Sequence, residues 1–130
     1  MITLDTNVLV RAFANDDQVQ SAVAQALLLT LSEERPGFIN QTVLVELVWV
    51  LRRTLRFAAE DVHRLLDGLM NAPAFEIEDG ASVGEALEAA RGGADFADAL
   101  IHATSRLHGT TETVTFDRDA AERFGWRLLG

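Results

Sequence analysis

The sequence predicts an α/β domain with a mostly parallel sheet and helices on both faces. Short β-prone segments alternate along the chain with longer segments of helical periodicity, which is the usual pattern of parallel strands joined by helices. The chain has 130 residues, the common size of one domain, and is 48% hydrophobic and 24% charged, as globular proteins are. No repeat, low-complexity tract or linker interrupts it, so we expect residues 1–130 to form a single domain.

The elements of the first half are predicted from periodicity and from helix boundaries. Apolar residues such as Val19, Val23 and Leu27 recur every three or four positions, as on one face of a helix. Asn40 is a favourable first residue for another helix. In order, we predict a strand at Ile2–Leu4, a helix from Asp16-Asp17 to Arg35-Pro36-Gly37, a strand at Phe38–Ile39, a helix from Asn40 to about Leu55 and a helix from Ala59 to Met70.

The second half continues the same alternation. Aspartates stand at the expected starts of its helices, and Arg91-Gly92-Gly93 separates two of them. In order, we predict a strand at Phe75–Ile77, a helix from Asp79 to Ala90, a helix from Asp95 to about Leu107, a strand at Val114–Phe116, a short helix from Asp117 and a strand at Trp126–Leu129.

The charge of the sequence limits how it can bind other molecules. The net charge is −9, the isoelectric point is near 4.6, and all 11 basic residues are arginines. A nucleic acid would therefore have to be held by a few local arginines or by a bound cation. The absence of cysteine excludes disulfides and thiolate zinc sites. The longest apolar run, Val43–Leu51, is too short to cross a bilayer, so we expect a cytoplasmic protein without a membrane contact.

Four acidic residues are predicted to approach the same edge of the sheet. Asp5 and Asp117 directly follow predicted strands, whereas Glu46 and Asp98 are predicted in the first turns of helices. In open α/β sheets the ligand crevice lies beyond the carboxyl ends of the strands. Carboxylates gathered there repel one another unless a cation neutralises them, and oxygen ligands suit Mg²⁺ or Mn²⁺. The sequence therefore predicts a site for a divalent cation.

Glu46 carries most of this prediction. Its helix is apolar all round except at this residue, and its neighbours one turn away, such as Trp49 and Val50, are expected to be buried. A buried carboxylate is costly unless it is paired, protonated or bound to a metal. The structural alternative is a buried ion pair with Arg11 or Arg53.

The other acids also have structural interpretations. Asp5, Asp95 and Asp117 each stand where an aspartate can cap a helix, and Asp95 with Asp98 matches a capping box. His102, one turn beyond Asp98, is either a ligand or an ordinary surface or packed histidine. Each acid taken alone therefore has two interpretations, and the metal site is predicted from the whole set.

Four segments in order match one family pattern and extend over nearly the whole chain. They are Asp5-Thr6-Asn7-Val8-Leu9-Val10-Arg11, Val45-Glu46-Leu47-Val48-Trp49-Val50-Leu51-Arg52, Asp95-Phe96-Ala97-Asp98-Ala99-Leu100-Ile101 and Thr115-Phe116-Asp117. Together they resemble the PIN-domain nucleases, and among them the VapC-like ribonuclease toxins of type II toxin–antitoxin systems. The resemblance implies a three-layer α/β/α PIN-like fold with a central, mostly parallel sheet.

The resemblance also implies an activity, that of a Mg²⁺-dependent or Mn²⁺-dependent endoribonuclease. Asp5, Glu46, Asp98 and Asp117 match the family's catalytic, metal-binding acids, and Asp95 is an accessory acid of the same segment. Acids of this kind hold the metal, which activates a water molecule for in-line attack on an RNA phosphodiester.

Further expectations from the resemblance concern the surroundings of these acids and the binding partners. Thr6 and Asn7 are expected to hydrogen-bond a water molecule on the metal. The arginines expected to contact the RNA backbone are Arg11, Arg52, Arg53 and Arg56. The family also implies a cognate antitoxin and a homodimer or toxin–antitoxin hetero-oligomer, for which helices 16–32 and 43–51 are natural docking surfaces.

Two other functions fit parts of the pattern. A phosphoreceiver signalling domain is also a small α/β unit with an acidic Mg²⁺ pocket, but it normally needs a lysine at a late strand end, and this sequence contains none. A PIN-like binding module that has lost catalysis is the second alternative, and only the complete set of acids argues against it.

Overall fold

The computed structural model describes all residues, 1–130, and the chain divides into two compact units. The first unit is Met1–Asp79 and the second is Gly80–Gly130. Every strand pair in both units is parallel, which confirms the predicted sheet type. No helix is long and apolar enough to cross a membrane.

The first unit contains a three-stranded parallel sheet and four α-helices. The sheet order is β1-β2-β3, with Ile2 beside Gly37 and Gly37 beside Phe75. The elements are β1 (Ile2–Thr3), α1 (Thr6–Ala14), α2 (Gln18–Leu29), β2 (Gly37–Ile39), α3 (Gln41–Trp49), a π-helical turn (Val50–Thr54), α4 (Ala59–Asn71) and β3 (Phe75–Ile77).

The core of the first unit is built from aliphatic side chains of the sheet and of all four helices. Its most deeply buried members are Leu4, Leu9, Ile39, Leu44, Leu47, Leu51, Val62 and Leu66. Gly37 is part of this packing, because a Cβ atom there would lie 2.7 Å from Cδ1 of Leu4 and 2.9 Å from Cδ1 of Leu31. A larger residue at the start of β2 would have to displace both leucines.

The second unit contains three α-helices and one pair of parallel strands. The elements are α5 (Gly80–Arg91), α6 (Phe96–Ser105), a 3₁₀ turn (Arg106–His108), β4 (Val114–Thr115), α7 (Arg118–Phe124) and β5 (Arg127–Leu128). Helices α5 and α6 pack against each other, and Val83, Leu87, Phe96 and Leu100 are buried. In the strand pair, Val114 lies beside Arg127 and Thr115 beside Leu128.

The structure confirms the predicted strands and helices, with differences at their ends. The predicted helix from Asn40 to about Leu55 is α-helical only to Trp49 and then widens into the π-helical turn. Asn40 caps it as predicted, because its side chain accepts a 2.9 Å hydrogen bond from the amide of Val43. The helix α1 appeared in the sequence only as an alternative interpretation of Asp5, since its nine residues are too few to show a clear period.

Candidate functional site

Asp5 stands at the start of α1, directly after the first strand. Its backbone is extended and its carbonyl begins the helix by accepting a 3.1 Å hydrogen bond from the amide of Val8. Its side chain makes no capping hydrogen bond and is exposed. The capping interpretation of Asp5 is therefore wrong for its carboxylate, which has no intramolecular hydrogen bond or ion pair.

Glu46 lies in α3, where two of the expectations for it are wrong. It is the sixth residue of the helix, past the first turn, and its side chain is exposed. The core-facing side of α3 is formed by Val43, Leu44 and Leu47, and Glu46 points away from it. A helix that is apolar at most positions hides which side is buried, and here Trp49 lies on the exposed side with Glu46.

Thr6 connects α1 to α3 at this carboxylate. The Thr6 hydroxyl donates a 3.3 Å hydrogen bond to Oε1 of Glu46, and Thr6 itself is buried. The predicted alternative, a buried ion pair of Glu46 with an arginine, is wrong, because Arg11 pairs with Asp16 at 2.9 Å and Arg53 is exposed. The hydrogen bond that Glu46 accepts within the protein therefore comes from an uncharged donor, the Thr6 hydroxyl.

The arginines singled out in the sequence have different surroundings. Arg11 is engaged by Asp16 and by Gln20, whose side-chain oxygen accepts a 2.7 Å hydrogen bond from Nε of Arg11. Arg52 donates from Nη1 to the carbonyl of Phe57 at 2.8 Å. Arg53 and Arg56 are exposed and have no intramolecular ion pair or side-chain hydrogen bond.

Asp95 and Asp117 occupy the starts of two helices in the second unit. Oδ2 of Asp95 accepts a 3.0 Å hydrogen bond from the amide of Asp98, at the start of α6. Oδ1 of Asp117 accepts a 3.0 Å hydrogen bond from the amide of Ala120, at the start of α7. The capping interpretation is confirmed for both residues. Each cap uses one carboxylate oxygen and leaves the other without a protein partner.

The charges of Asp95 and Asp117 both act on the carboxyl group of Asp98. Partial burial raises the pKa of its carboxyl above the ordinary value of 3.8, and the charges of Asp95 and Asp117 raise it further. No positive side chain opposes this shift. The folded protein therefore disfavours the charged form of Asp98, and a cation beside it would offset the repulsion.

Two features of the second unit were missed in the sequence. The hydroxyl of Thr115 accepts a 3.0 Å hydrogen bond from the amide of Asp117, which fixes the turn between β4 and α7. A threonine two residues before an aspartate is a recognisable signal for such a turn. His102 accepts a 3.1 Å hydrogen bond at Nδ1 from the indole of Trp126, and Phe124 stacks on that indole. Of its two interpretations, His102 is thus a packed histidine.

The chemistry of the candidate acids suits a hard divalent cation. Asp5 and Glu46 are exposed in the first unit, and in the second unit the charges of Asp95 and Asp117 act on Asp98. Carboxylate oxygens are ligands that a hard divalent cation accepts. Within neither unit do three such side chains form a group that could hold a metal ion. The donor types therefore fit the cation, and the four-residue set predicted to hold it draws on both units.

Two comparisons with known proteins agree with the sequence pattern. The sequence profile of the family described as PIN domain matches residues 2–125. A protein of Aquifex aeolicus (strain VF5), named VapC ribonuclease, is 24% identical over 119 residues, which cover 91% of this chain and 88% of that protein. These matches confirm the resemblance to the PIN-domain nucleases and to VapC-like ribonucleases. They also confirm the predicted α/β/α fold, and they favour it over a phosphoreceiver domain.

Proposed function

This chain belongs to the PIN domain family, and we propose that it is a metal-dependent endoribonuclease, the toxin of a type II toxin–antitoxin pair. The similarity to a protein named VapC ribonuclease supports the substrate class, which is RNA, and the toxin role. We further propose that residues 1–130 act as a single PIN-like domain and that the protein works in the cytoplasm.

The observation that carries the proposal is the placement of aspartates at the starts of α6 and α7, where Asp95 and Asp117 each keep one carboxylate oxygen without a protein partner. Burial, and then the charges of Asp95 and Asp117, raise the pKa of the Asp98 carboxyl, and a cation bound beside it would favour the ionised form. The residues proposed to hold Mg²⁺, or Mn²⁺ in its place, are Asp5, Glu46, Asp98 and Asp117, with Asp95 as an accessory acid. Bound there, the cation supplies charge neutralisation for a scissile phosphate and acidifies a water molecule.

The chain's own residues hold the acids in defined positions. The caps fix Asp95 and Asp117 through one oxygen each, so the remaining oxygens point from rigid helix starts. Thr6 restrains Glu46 in the first unit. We propose Thr6 and its neighbour Asn7 as the residues that support the ligands and the attacking water through hydrogen bonds.

The arginines are the proposed contacts to the RNA backbone. Arg53 offers a full guanidinium, whereas Arg52 and Arg11 each have part of theirs engaged within the protein. Since the net charge is −9, RNA affinity from these few residues should be modest, and the cation is the second anchor for phosphate.

The groove between α1 and α2 is the proposed docking surface for an antitoxin. It has a volume of about 270 Å³ and is lined mainly by apolar side chains, among them Val8, Val19, Val23 and Leu27. Val19 is 74% exposed and Val23 is 67% exposed. The other expected docking surface, helix 43–51, keeps its main apolar side for the core. A homodimer, alone or within a toxin–antitoxin hetero-oligomer, is proposed from the family resemblance.

The test is cleavage of RNA with and without Mg²⁺ or Mn²⁺. We expect cleavage by the wild-type protein that EDTA abolishes, and loss of cleavage in Asp5→Ala and in Asp98→Ala. Cleavage that survives chelation or both substitutions would contradict the metal-dependent mechanism. A folded wild-type protein that binds RNA without cutting it would instead identify a PIN-like binding module.

A further inference from the structure

One face of α3 and of the π-helical turn after it carries side chains that are exposed and lie outside the core. Thr42, Glu46, Trp49 and Arg53 follow one another at intervals of four, three and four residues, which places them along one side of the helix. All four are exposed, and Trp49 is 57% exposed. We call this set the α3 stripe.

Trp49 is unusual among the exposed residues of the stripe because its side chain is large, flat and apolar. The other tryptophan, Trp126, is buried and donates its indole N–H to His102. Trp49 has neither burial nor a hydrogen-bond partner. It lies three residues from Glu46, which is about one helical turn or roughly 4.5 Å along the axis.

The chain that follows Trp49 is the most basic part of an acidic protein. Arg52, Arg53 and Arg56 lie in a segment without acids, since the nearest are Glu46 before it and Glu60 after it. Five of the eight other arginines pair with carboxylates: Arg11, Arg64, Arg91, Arg106 and Arg127. The guanidinium groups of Arg53 and Arg56 are unpaired and reach solvent.

The backbone of this segment is also irregular. The amide of Leu55 donates a 2.9 Å hydrogen bond to the carbonyl of Val50, which is the wide spacing of a π-helix. Arg56 then has a φ of 59°, in the left-handed region that is unfavourable for a non-glycine residue. Short π-helical turns and left-handed non-glycine residues occur preferentially at functional sites.

We propose that the α3 stripe binds single-stranded RNA, with a base stacked on Trp49 and the neighbouring phosphates contacting Arg53 and Arg56. The inference rests on the proposed function and specifies which residues outside the proposed metal site hold the substrate. An exposed aromatic ring, with exposed and unpaired arginines four and seven residues further along the chain, supplies the two kinds of group that bind unstacked bases and their phosphates. The polar neighbours, Glu46 and Arg53, favour this ligand over an apolar protein surface. A base held on Trp49 lies one turn from a proposed metal ligand.

The first experiment measures RNA binding in EDTA, so that cleavage does not interfere. Fluorescence anisotropy of a labelled single-stranded RNA should show binding weakened about tenfold in Trp49→Ala and nearly unchanged in Trp49→Phe. Leu29→Ala is the matched control, because Leu29 is 87% exposed and lies on α2. An RNA with abasic sites should lose affinity for the wild type and not for Trp49→Ala.

The second experiment measures the salt dependence of the same binding. Arg53→Ala and Arg56→Ala should each reduce the slope of log affinity against log salt by about 0.7, the value for one phosphate contact on a single strand. Arg64→Ala is the control, since Arg64 is exposed and paired with Asp61. Unchanged slopes in both variants would overturn the assignment of these arginines.

Cleavage with Mg²⁺ separates this inference from the proposed function. If the wild type cleaves RNA and Trp49→Ala binds RNA as tightly as the wild type, the proposed RNA-binding role of the α3 stripe is wrong. The proposed nuclease function is then unaffected. If the wild type neither binds nor cleaves RNA, both fail. A Trp49→Ala protein that changes its mass in solution while keeping its RNA affinity would assign Trp49 to a protein interface and overturn the stripe.

Discussion

Two kinds of aspartate stand at helix starts in this protein, and α1 in the first unit differs from α6 and α7 in the second. Asp5, at the start of α1, leaves its carboxylate without a partner, whereas Asp95 and Asp117 use one oxygen to cap α6 and α7. A capping aspartate stabilises its helix by about 1 kcal/mol relative to alanine. Asp5 contributes nothing of this kind. The comparison separates an acid with no structural role for its carboxylate, which we propose as a metal ligand, from proposed site acids that also cap a helix.

The largest effect is expected from Asp5→Ala, with Asp17→Ala as its matched control in the same unit. Asp17 caps α2 by accepting a 3.0 Å hydrogen bond from the amide of Gln20. Asp5→Ala should lower RNA cleavage by about a hundredfold or more, since loss of a residue that only supports a ligand already costs 10–100-fold. Asp17→Ala should keep cleavage and lose about 1 kcal/mol of unfolding free energy.

Cleavage assays and denaturant unfolding check that Asp5→Ala loses activity but not stability, and that Asp17→Ala loses stability but not activity. Asp5→Ala should unfold at the wild-type denaturant concentration, because its side chain caps nothing. A destabilised Asp5→Ala that cleaves RNA normally would reverse the comparison and make Asp5 a structural residue.

The substitution Asp98→Asn is expected to change how the stability of the protein depends on pH. Burial is the largest cause of the raised pKa of Asp98, and the charges of Asp95 and Asp117 add to it. The Asp98 carboxyl therefore stays protonated to a higher pH in the folded protein than in the unfolded chain, where its pKa is 3.8. The contribution of Asp98 to stability is therefore lost as pH rises from about 3.8 through the raised pKa. In EDTA, the melting temperature of Asp98→Asn should therefore rise relative to that of the wild type over that range.

Melting temperatures measured between acid and neutral pH check the sign of this effect. The asparagine variant should also lose cleavage to the extent that Asp5→Ala does. Added Mg²⁺ should stabilise the wild type and leave Asp98→Asn unchanged. A difference between the two proteins that is constant with pH would contradict the raised pKa.

The local positions of Asp5, Asp95 and Asp117 at helix starts could be predicted from the sequence, whereas the metal-binding role of the acids stays a prediction. The alternation of short strands and helices predicts the parallel sheets, and Asn40 correctly predicts the start of α3. Glu46 was misjudged because α3 is apolar on its exposed side as well as on its buried side, and only tertiary packing decides between them.

Features that depend on distant residues had no signal in the sequence. His102 and Trp126 are 24 residues apart and meet only in the folded second unit. The π-helical turn has no residue that requires it, and Arg56 takes a left-handed conformation usually given to glycine. The sequence also could not decide between cap and ligand for Asp5, because the backbone position is the same in both cases.

The smallest effect is expected at Asp95, where two substitutions separate the cap from the charge. Asparagine caps helices as well as aspartate does, so Asp95→Asn should unfold within about 0.5 kcal/mol of the wild type, whereas Asp95→Ala should lose about 1 kcal/mol. If Asp95 is mainly a cap, Asp95→Asn keeps cleavage within about threefold, a loss of roughly 0.7 kcal/mol in transition-state binding. Its missing charge should also lower the pKa of Asp98, which NMR titration of that carboxyl measures. If Asp95→Asn keeps α6 intact and still loses as much cleavage as Asp5→Ala, Asp95 would instead be a metal ligand. Asp95 and Asp5 would then have the same role in cleavage.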